Sequence, residues 1–72
     1  MLRYEFIRKV DKGYEYNYFP EGNKNAPGVV FIESKGKGHI IEESSEDFGE
    51  RYAFHAIRGI DLSKNSGIVA WY

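Results

Sequence analysis

Two histidines and five serines are the side chains of this sequence that could act as a general base or a nucleophile. His39 and His55 stand far apart, at a spacing that matches no metal-binding motif. None of the serines lies in a nucleophile-elbow context. The sequence has no cysteine, which excludes thiol chemistry and cysteine-ligated zinc. We therefore predict that the protein is not an enzyme and that it holds no metal and no cofactor.

A cationic glycine segment, Lys35-Gly36-Lys37-Gly38-His39, could hold a phosphate through its amide and ammonium groups. The segment follows a predicted strand and leads into another, whereas a P-loop continues into a helix whose N-terminus helps to bind the anion. A hairpin turn with solvated lysines is therefore the favoured interpretation. Lys35 and Lys37 stay candidate contacts for nucleic acid.

An acidic segment lies just before and inside a predicted helix and contains Glu42, Glu43, Glu46, Asp47 and Glu50. Acidic side chains near the N-terminus of a helix interact favourably with its dipole, so capping is the favoured interpretation. The alternatives are a cation site, a docking surface for a basic partner, or mimicry of a row of phosphates. The spacing of an EF-hand calcium loop is missing.

The elements that position these residues begin with Tyr14, Tyr16 and Tyr18, whose spacing of two is the period of a strand. Asp11-Lys12-Gly13 precedes them and indicates a hairpin turn in which Gly13 is suited to a positive φ. Apolar alternation and breaker residues predict strands over 3–10, 14–19, 29–33, 39–43 and 67–72.

A helix is predicted over 45–60, because the apolar period changes from two to 3.6 there. Ser44 or Ser45 is its predicted N-cap, and Phe48 falls in the apolar half of its wheel. The element order β-β-β-β-α-β predicts a single α+β domain over 1–72, with an antiparallel sheet of four to five strands and one helix packed on a face. The last strand could lie parallel to a neighbour through a right-handed crossover.

Both faces of the predicted sheet are apolar, because Val29 and Phe31 point one way and Val30 and Ile32 the other. Five strands span about 24 Å and one helix is about 10 Å wide, so one face is left uncovered. Exposed apolar surface tends to mark an interface, which predicts a homodimer or a protein partner. The predicted contact residues are Tyr14, Tyr16, Tyr18 and Phe54. The alternatives are that loop 20–28 covers this face, or that the tyrosines stay half wet.

The composition bears on location and on nucleic acid. Ten Lys and Arg residues oppose eleven Asp and Glu residues, so a strongly basic footprint is absent. There is no apolar stretch of about twenty residues for a membrane span, and the start has no signal-peptide core. We expect a cytoplasmic protein with no membrane partner. The alternative function is binding of single-stranded nucleic acid through the tyrosine-lined face and the turn with Lys35 and Lys37.

The tyrosine hairpin, Phe19-Pro20-Glu21, a later glycine and an alanine-bearing helix resemble the N-terminal domain of HicB-type antitoxins. This chain has an extra strand before its helix and lacks a DNA-binding tail. The whole chain, including the helix over 47–56 and the end over 69–72, is similar in style to small uncharacterised proteins of phages and other mobile elements. That resemblance implies an accessory protein that acts by binding, for example to a host factor.

Overall fold

The computed structural model describes residues 1–71, which form five strands and one α-helix. The elements are β1 Leu2–Val10, β2 Gly13–Pro20, β3 Gly28–Glu33, β4 Gly38–Glu42, a 3-10 turn Phe48–Glu50, α1 Arg51–Gly59 and β5 Ser66–Val69. The strands make one antiparallel sheet in the order β4-β3-β2-β1-β5, and α1 packs on one of its faces. The predicted α+β class and element order are confirmed.

The last strand is shorter than predicted and has a different neighbour. β5 ends at Val69 and pairs antiparallel with β1, with Val69 opposite Leu2. Directions alternate across the sheet, so β4 and β5 run the same way with three strands between them. The connection through α1 therefore crosses the whole sheet, and the suggested parallel neighbour is wrong. Tyr72, predicted in this strand, lies outside the described residues.

The helix begins later than predicted. Instead of one helix over 45–60, a 3-10 turn over Phe48–Glu50 leads into α1 over Arg51–Gly59. Gly49 and Glu50 have φ values of +74° and +62°, which a right-handed helix cannot contain. Phe48 consequently stands before the helix rather than on its apolar half.

The core lies between α1 and one face of the sheet, which we call the inner face. In β1 and β2 the buried Leu2, Tyr4, Tyr16 and Tyr18 share the parity that faces the helix, whereas the polar Arg3, Glu5, Glu15 and Asn17 share the other, which also carries Phe19. The helix turns Ala53 and Ala56 toward the sheet, and these small side chains let it approach closely. The buried core comprises Leu2, Tyr4, Tyr16, Tyr18, Val30, Ile32, Ala53, Ala56 and Ile60.

Candidate functional site

The three tyrosines of β2 lie on the inner face, underneath the helix. Tyr16 and Tyr18 are only 1% and 0% exposed, and Tyr14 is half-buried against the same core. In this fold they cannot present an aromatic interface, so the prediction of an uncovered tyrosine face is wrong. The residues between the tyrosines, Glu15 and Asn17, are polar. Placing the tyrosine side of the strand under the helix therefore removes more apolar surface from water than placing the polar side there.

Ring packing shows why this face accommodates tyrosines. Tyr18 lies opposite Gly28 of β3, and its ring occupies the space that a side chain would need there. A Cβ at Gly28 would lie 2.2 Å from the ring. Tyr16 makes edge-to-face contacts with Tyr4 and Phe6 of β1, at centroid distances of 5.7 and 5.6 Å. The rings of Tyr4, Tyr16 and Tyr18 therefore form the aromatic part of the core.

The Tyr18 hydroxyl joins the sheet to the start of the helix. It donates to Asp47 Oδ2 at 2.9 Å and accepts the Ser44 N–H at 3.0 Å. Burial, and then the hydrogen bond to the Asp47 carboxylate, raise the pKa of Tyr18 well above its usual range. The Tyr16 hydroxyl donates to the Lys64 carbonyl at 3.1 Å, and burial raises its pKa too.

Asp47 caps the helix, in place of the predicted Ser44 or Ser45. Its Oδ1 accepts the N–H of Tyr52 and its Oδ2 accepts that of Ala53, both at 2.9 Å. Ser44 is buried, but its hydroxyl donates to the Ala26 carbonyl at 2.5 Å and accepts the Glu46 N–H. The buried carboxylate satisfies two of the N–H groups that a helix N-terminus leaves unpaired.

The other acids of the segment point into solvent, and Glu46 accepts a hydrogen bond from the Asn23 side chain. Within residues 1–71, no three His, Asp or Glu side chains come together as a metal site. The segment therefore combines one buried cap with four exposed carboxylates, of which Glu42 and Glu43 stand at the end of β4.

The outward side of the helix carries Phe54, which is 49% exposed between Arg51 and Arg58. Beside it, His55 stacks on Trp71 with centroids 3.8 Å apart and planes 6° from parallel. Burial, followed by the charges of Arg58 and Arg51, lowers the pKa of His55. The exposure expected for Phe54 is present, and its role as an interface residue stays a prediction.

Phe48 is an exposed aromatic residue that sequence reasoning missed. It is 83% exposed, and with Pro20, Glu21 and Arg51 it borders an open cleft of about 390 Å³. The signal available in the sequence was Gly49, which interrupts the helical pattern and takes a positive φ. Phe48 shows that the turn before α1 is part of the surface rather than of the core.

The outer face of the sheet, opposite the helix, divides into two halves. On β1 and β2 it carries ion pairs, with Arg8 Nε 3.0 Å from Glu15 Oε1 and Lys24 against Glu5. Lys24 belongs to loop 20–28 and lies over the ring of Phe19, 4.7 Å from its centroid. The loop therefore covers a corner of the outer face, as one alternative expected, and leaves the β3–β4 half open.

That open half carries Val29 and Phe31 of β3, with His39 opposite Phe31 and Glu42 opposite Val29, and Ile41 is exposed at the bulge beside them. We call Val29, Phe31, His39 and Ile41 the β3–β4 patch. The rings of Phe31 and His39 lie 5.0 Å apart, and Ile41 is 52% exposed at a bulge in the edge strand. Sequence reasoning expected an apolar uncovered face and assigned it to the wrong strand. The sequence signal for this location was β3, which carries apolar residues on both of its faces.

Lys35 and Lys37 are exposed in the turn between β3 and β4. Lys35 borders an open cleft of about 420 Å³ together with Lys12, Glu33 and Ser34. The fold does not bring the two lysines together with an exposed tyrosine face, because the tyrosine rings point to the covered side of the sheet.

Within residues 1–71, α1 is too short and too polar to cross a membrane. Comparisons with protein-family models, with curated proteins and with solved structures give no match.

Proposed function

We propose that this chain is a small, non-catalytic protein-binding or assembly module, cytoplasmic, that forms a homodimer or binds a protein partner. The observation that carries the proposal is the β3–β4 patch, an apolar half-face beside a free sheet edge that neither α1 nor loop 20–28 covers. Apolar surface that a small domain leaves contiguous and rimmed by charge is typical of an interaction site.

The size of the patch predicts a weak complex. Burying a large apolar side chain completely contributes about 1.5–3 kcal/mol, and Val29, Phe31 and Ile41 are already partly buried. Two such patches facing one another would contribute about 4.5–9 kcal/mol if each of the six side chains gains half of its full burial value, against a cost of association of at least about 4 kcal/mol. We therefore expect the patch alone to give a dissociation constant no tighter than the millimolar range, and a tighter complex to need further contacts.

The surroundings of the two histidines support a role without catalysis. His39 packs against Phe31 on the outer face, and His55 stacks on Trp71 at the other side of the sheet. Among residues 1–71 each ring packs on an aromatic neighbour, whereas a catalytic base is oriented by a hydrogen bond to a carboxylate. The resemblance to phage and mobile-element proteins suggests an accessory role on a host protein, and this stays a prediction.

Single-stranded nucleic acid binding loses its main support, because stacking needs exposed rings, whereas Tyr16 and Tyr18 are buried and Tyr14 is half-buried. Glu33 also lies in the cleft beside Lys35, where it would repel a phosphate. Binding of a labelled oligonucleotide at low salt, lost in a Lys35→Glu/Lys37→Glu variant, would restore this alternative. We expect no such binding.

Light scattering after size exclusion, at several hundred micromolar protein and at low and high salt, tests the proposal. We expect a mass above that of the 8.3 kDa monomer, and a return to the monomer in Ile41→Lys. The matched control is Ile68→Lys, since Ile68 is also 52% exposed but lies at the opposite edge of the sheet. Equal loss of association in both variants would contradict the assignment to the β3–β4 patch.

A further inference from the structure

The β3–β4 patch ends at β4, an edge strand of the sheet. An edge strand presents backbone N–H and C=O groups that its own sheet does not pair, and these can pair with another strand. Proteins blunt such edges with short strands, with bulges such as the one at Ile41, or with charges that repel a second copy of the same strand. Of these devices, the charge pattern of β4 and its flanks is the one that distinguishes one orientation of a second copy from the other.

Charges around β4 are separated by sign along the strand. Lys35 and Lys37 precede its apolar centre, whereas Glu42 and Glu43 follow it. All four side chains are exposed. An antiparallel neighbour runs end for end, so a second copy of this strand would place its acidic end beside the basic end of the first. The edge is thus complementary to itself in the antiparallel orientation alone.

β5, the other edge, lacks this property. Lys64 precedes it, but its strand and the residues that follow, Ser66–Val69 and Ala70, carry no acid. Within the described residues, a second copy of β5 would bring no acidic side chain to Lys64. Charge complementarity therefore selects β4 as the pairing edge of this sheet.

We propose that β4 of one copy pairs antiparallel with β4 of a second copy about a twofold axis, which joins the two sheets into one continuous sheet. This rests on the proposed assembly function and identifies the partner as a second copy of this chain. A twofold contact of this kind closes on itself, so the product is a dimer and not a fibre.

The geometry of the strand sets the register. An axis perpendicular to the sheet and near Ile40 keeps both helices on the same side, because opposite residues of an antiparallel pair share a face. Lys37 of one copy then lies opposite Glu43 of the other, and Gly38 lies opposite Glu42. The bulge at Ile41 shifts this alignment by one residue, and an acid still lies within one position of the residue opposite Lys37.

The joined sheet also changes the surroundings of the apolar patch. Ile41 would lie at the seam, next to His39 of the second copy, so that part of its exposed surface becomes covered. The two patches would meet along the seam and form one larger apolar surface on the outer face. The dimer contact and the patch are therefore neighbouring parts of the same surface.

Charge reversal tests the pairing. We would prepare Lys35→Glu/Lys37→Glu, which makes β4 acidic at both ends, and Glu42→Lys/Glu43→Lys, which makes it basic at both ends. Each variant places like charges opposite each other in its own homodimer, and we expect its dissociation constant to rise by more than about tenfold. Circular dichroism of each variant checks that the exposed substitutions leave the fold intact.

Mixing the two variants gives the decisive measurement. In a mixed dimer both pairs of ends carry opposite charges, so a heterodimer should form with an affinity close to that of the wild type, seen as a doubled mass in light scattering. A monomeric wild type would overturn both the inference and the homodimer. The β4 pairing alone would be overturned if both variants still formed homodimers. It would also be overturned if the mixture stayed monomeric while the wild type was dimeric. Either result would leave assembly through the patch standing.

Discussion

Removing the Asp47 carboxylate is the sharpest test of the contact between sheet and helix. This one buried side chain accepts three hydrogen bonds, one from the Tyr18 hydroxyl and two from the helix N–H groups of Tyr52 and Ala53. Asp47→Ala would leave all three donors without their acceptor in a place that water reaches poorly. We expect the helix to loosen from the sheet and the free energy of unfolding to fall.

The expected loss follows from the three bonds. Loss of a helix cap costs about 1 kcal/mol, with a range of about 0.5–2 kcal/mol. A buried hydroxyl that loses its charged partner adds about 1–3 kcal/mol. We therefore expect Asp47→Ala to cost about 2–4 kcal/mol, in a domain whose whole stability is about 4–11 kcal/mol at this length. Asp47→Asn keeps one acceptor oxygen and should cost roughly half as much.

Urea unfolding, followed by circular dichroism and by the fluorescence of Trp71, measures the effect. With a slope near 1 kcal/mol per molar, the midpoint of Asp47→Ala should fall by about 2 M or more. Glu43→Ala is the control, because it removes an exposed negative charge from the same segment. The cost of Tyr18→Phe should shrink in the Asp47→Ala background, by about 1 kcal/mol. A midpoint for Asp47→Ala equal to that of Glu43→Ala would refute the buried network.

Two further predictions concern the first hairpin and the dependence of stability on pH. Lys12 takes a φ of +73°, so Lys12→Gly should raise the free energy of unfolding by up to about 1 kcal/mol. Gly13→Ala should lower it by more than that, because a Cβ there would lie 2.5 Å from a β3 carbonyl oxygen and 2.6 Å from a β3 ring; urea midpoints of the two variants should move in opposite directions. The pKa of His55 is lowered from its ordinary value of 6.5, so near and below that pH His55 binds a proton more readily in the unfolded chain than in the folded protein. The free energy of unfolding should therefore fall as the pH drops from 7 to 5. His55→Gln should flatten this part of the urea-midpoint profile, and an unchanged slope would contradict the stacked environment. The pKa values of Tyr16 and Tyr18 are raised above the ordinary value of 10.0, so the two neutral hydroxyls stabilise the folded protein fully below pH 10.0 and this contribution is lost as the pH rises further. Tyrosinate absorbance from these two side chains should therefore appear only together with alkaline unfolding.

The sequence predicts the type and order of the five strands and of the α-helix, because each has a strong local signal, whereas the 3-10 turn over Phe48–Glu50 was not predicted. The period of two in β2 and the breaker residues at each turn needed no tertiary information. The start of α1 was placed too early, since its cap comes from a buried carboxylate held by a tyrosine of another element, a contact between distant residues. The turn before β2 shows the same limit: Lys12 rather than Gly13 takes the positive φ, and Gly13 is needed for its close approach to β3.

The open half of the outer face could have been located by comparing strands with one another. β2 alternates sharply, with Glu15 and Asn17 between its tyrosines, so one of its faces must be wet and the aromatic one must be covered. β3 has no polar residue between Val29 and Ile32, so covering either face leaves apolar side chains on the other. Once the helix sits on the tyrosine side, Val29 and Phe31 of β3 lie on the open face of the sheet, beside the edge strand β4. The uncovered face and the self-complementary edge then meet in one place, which is why association, if it occurs through the sheet, should depend on β4 and not on the tyrosines.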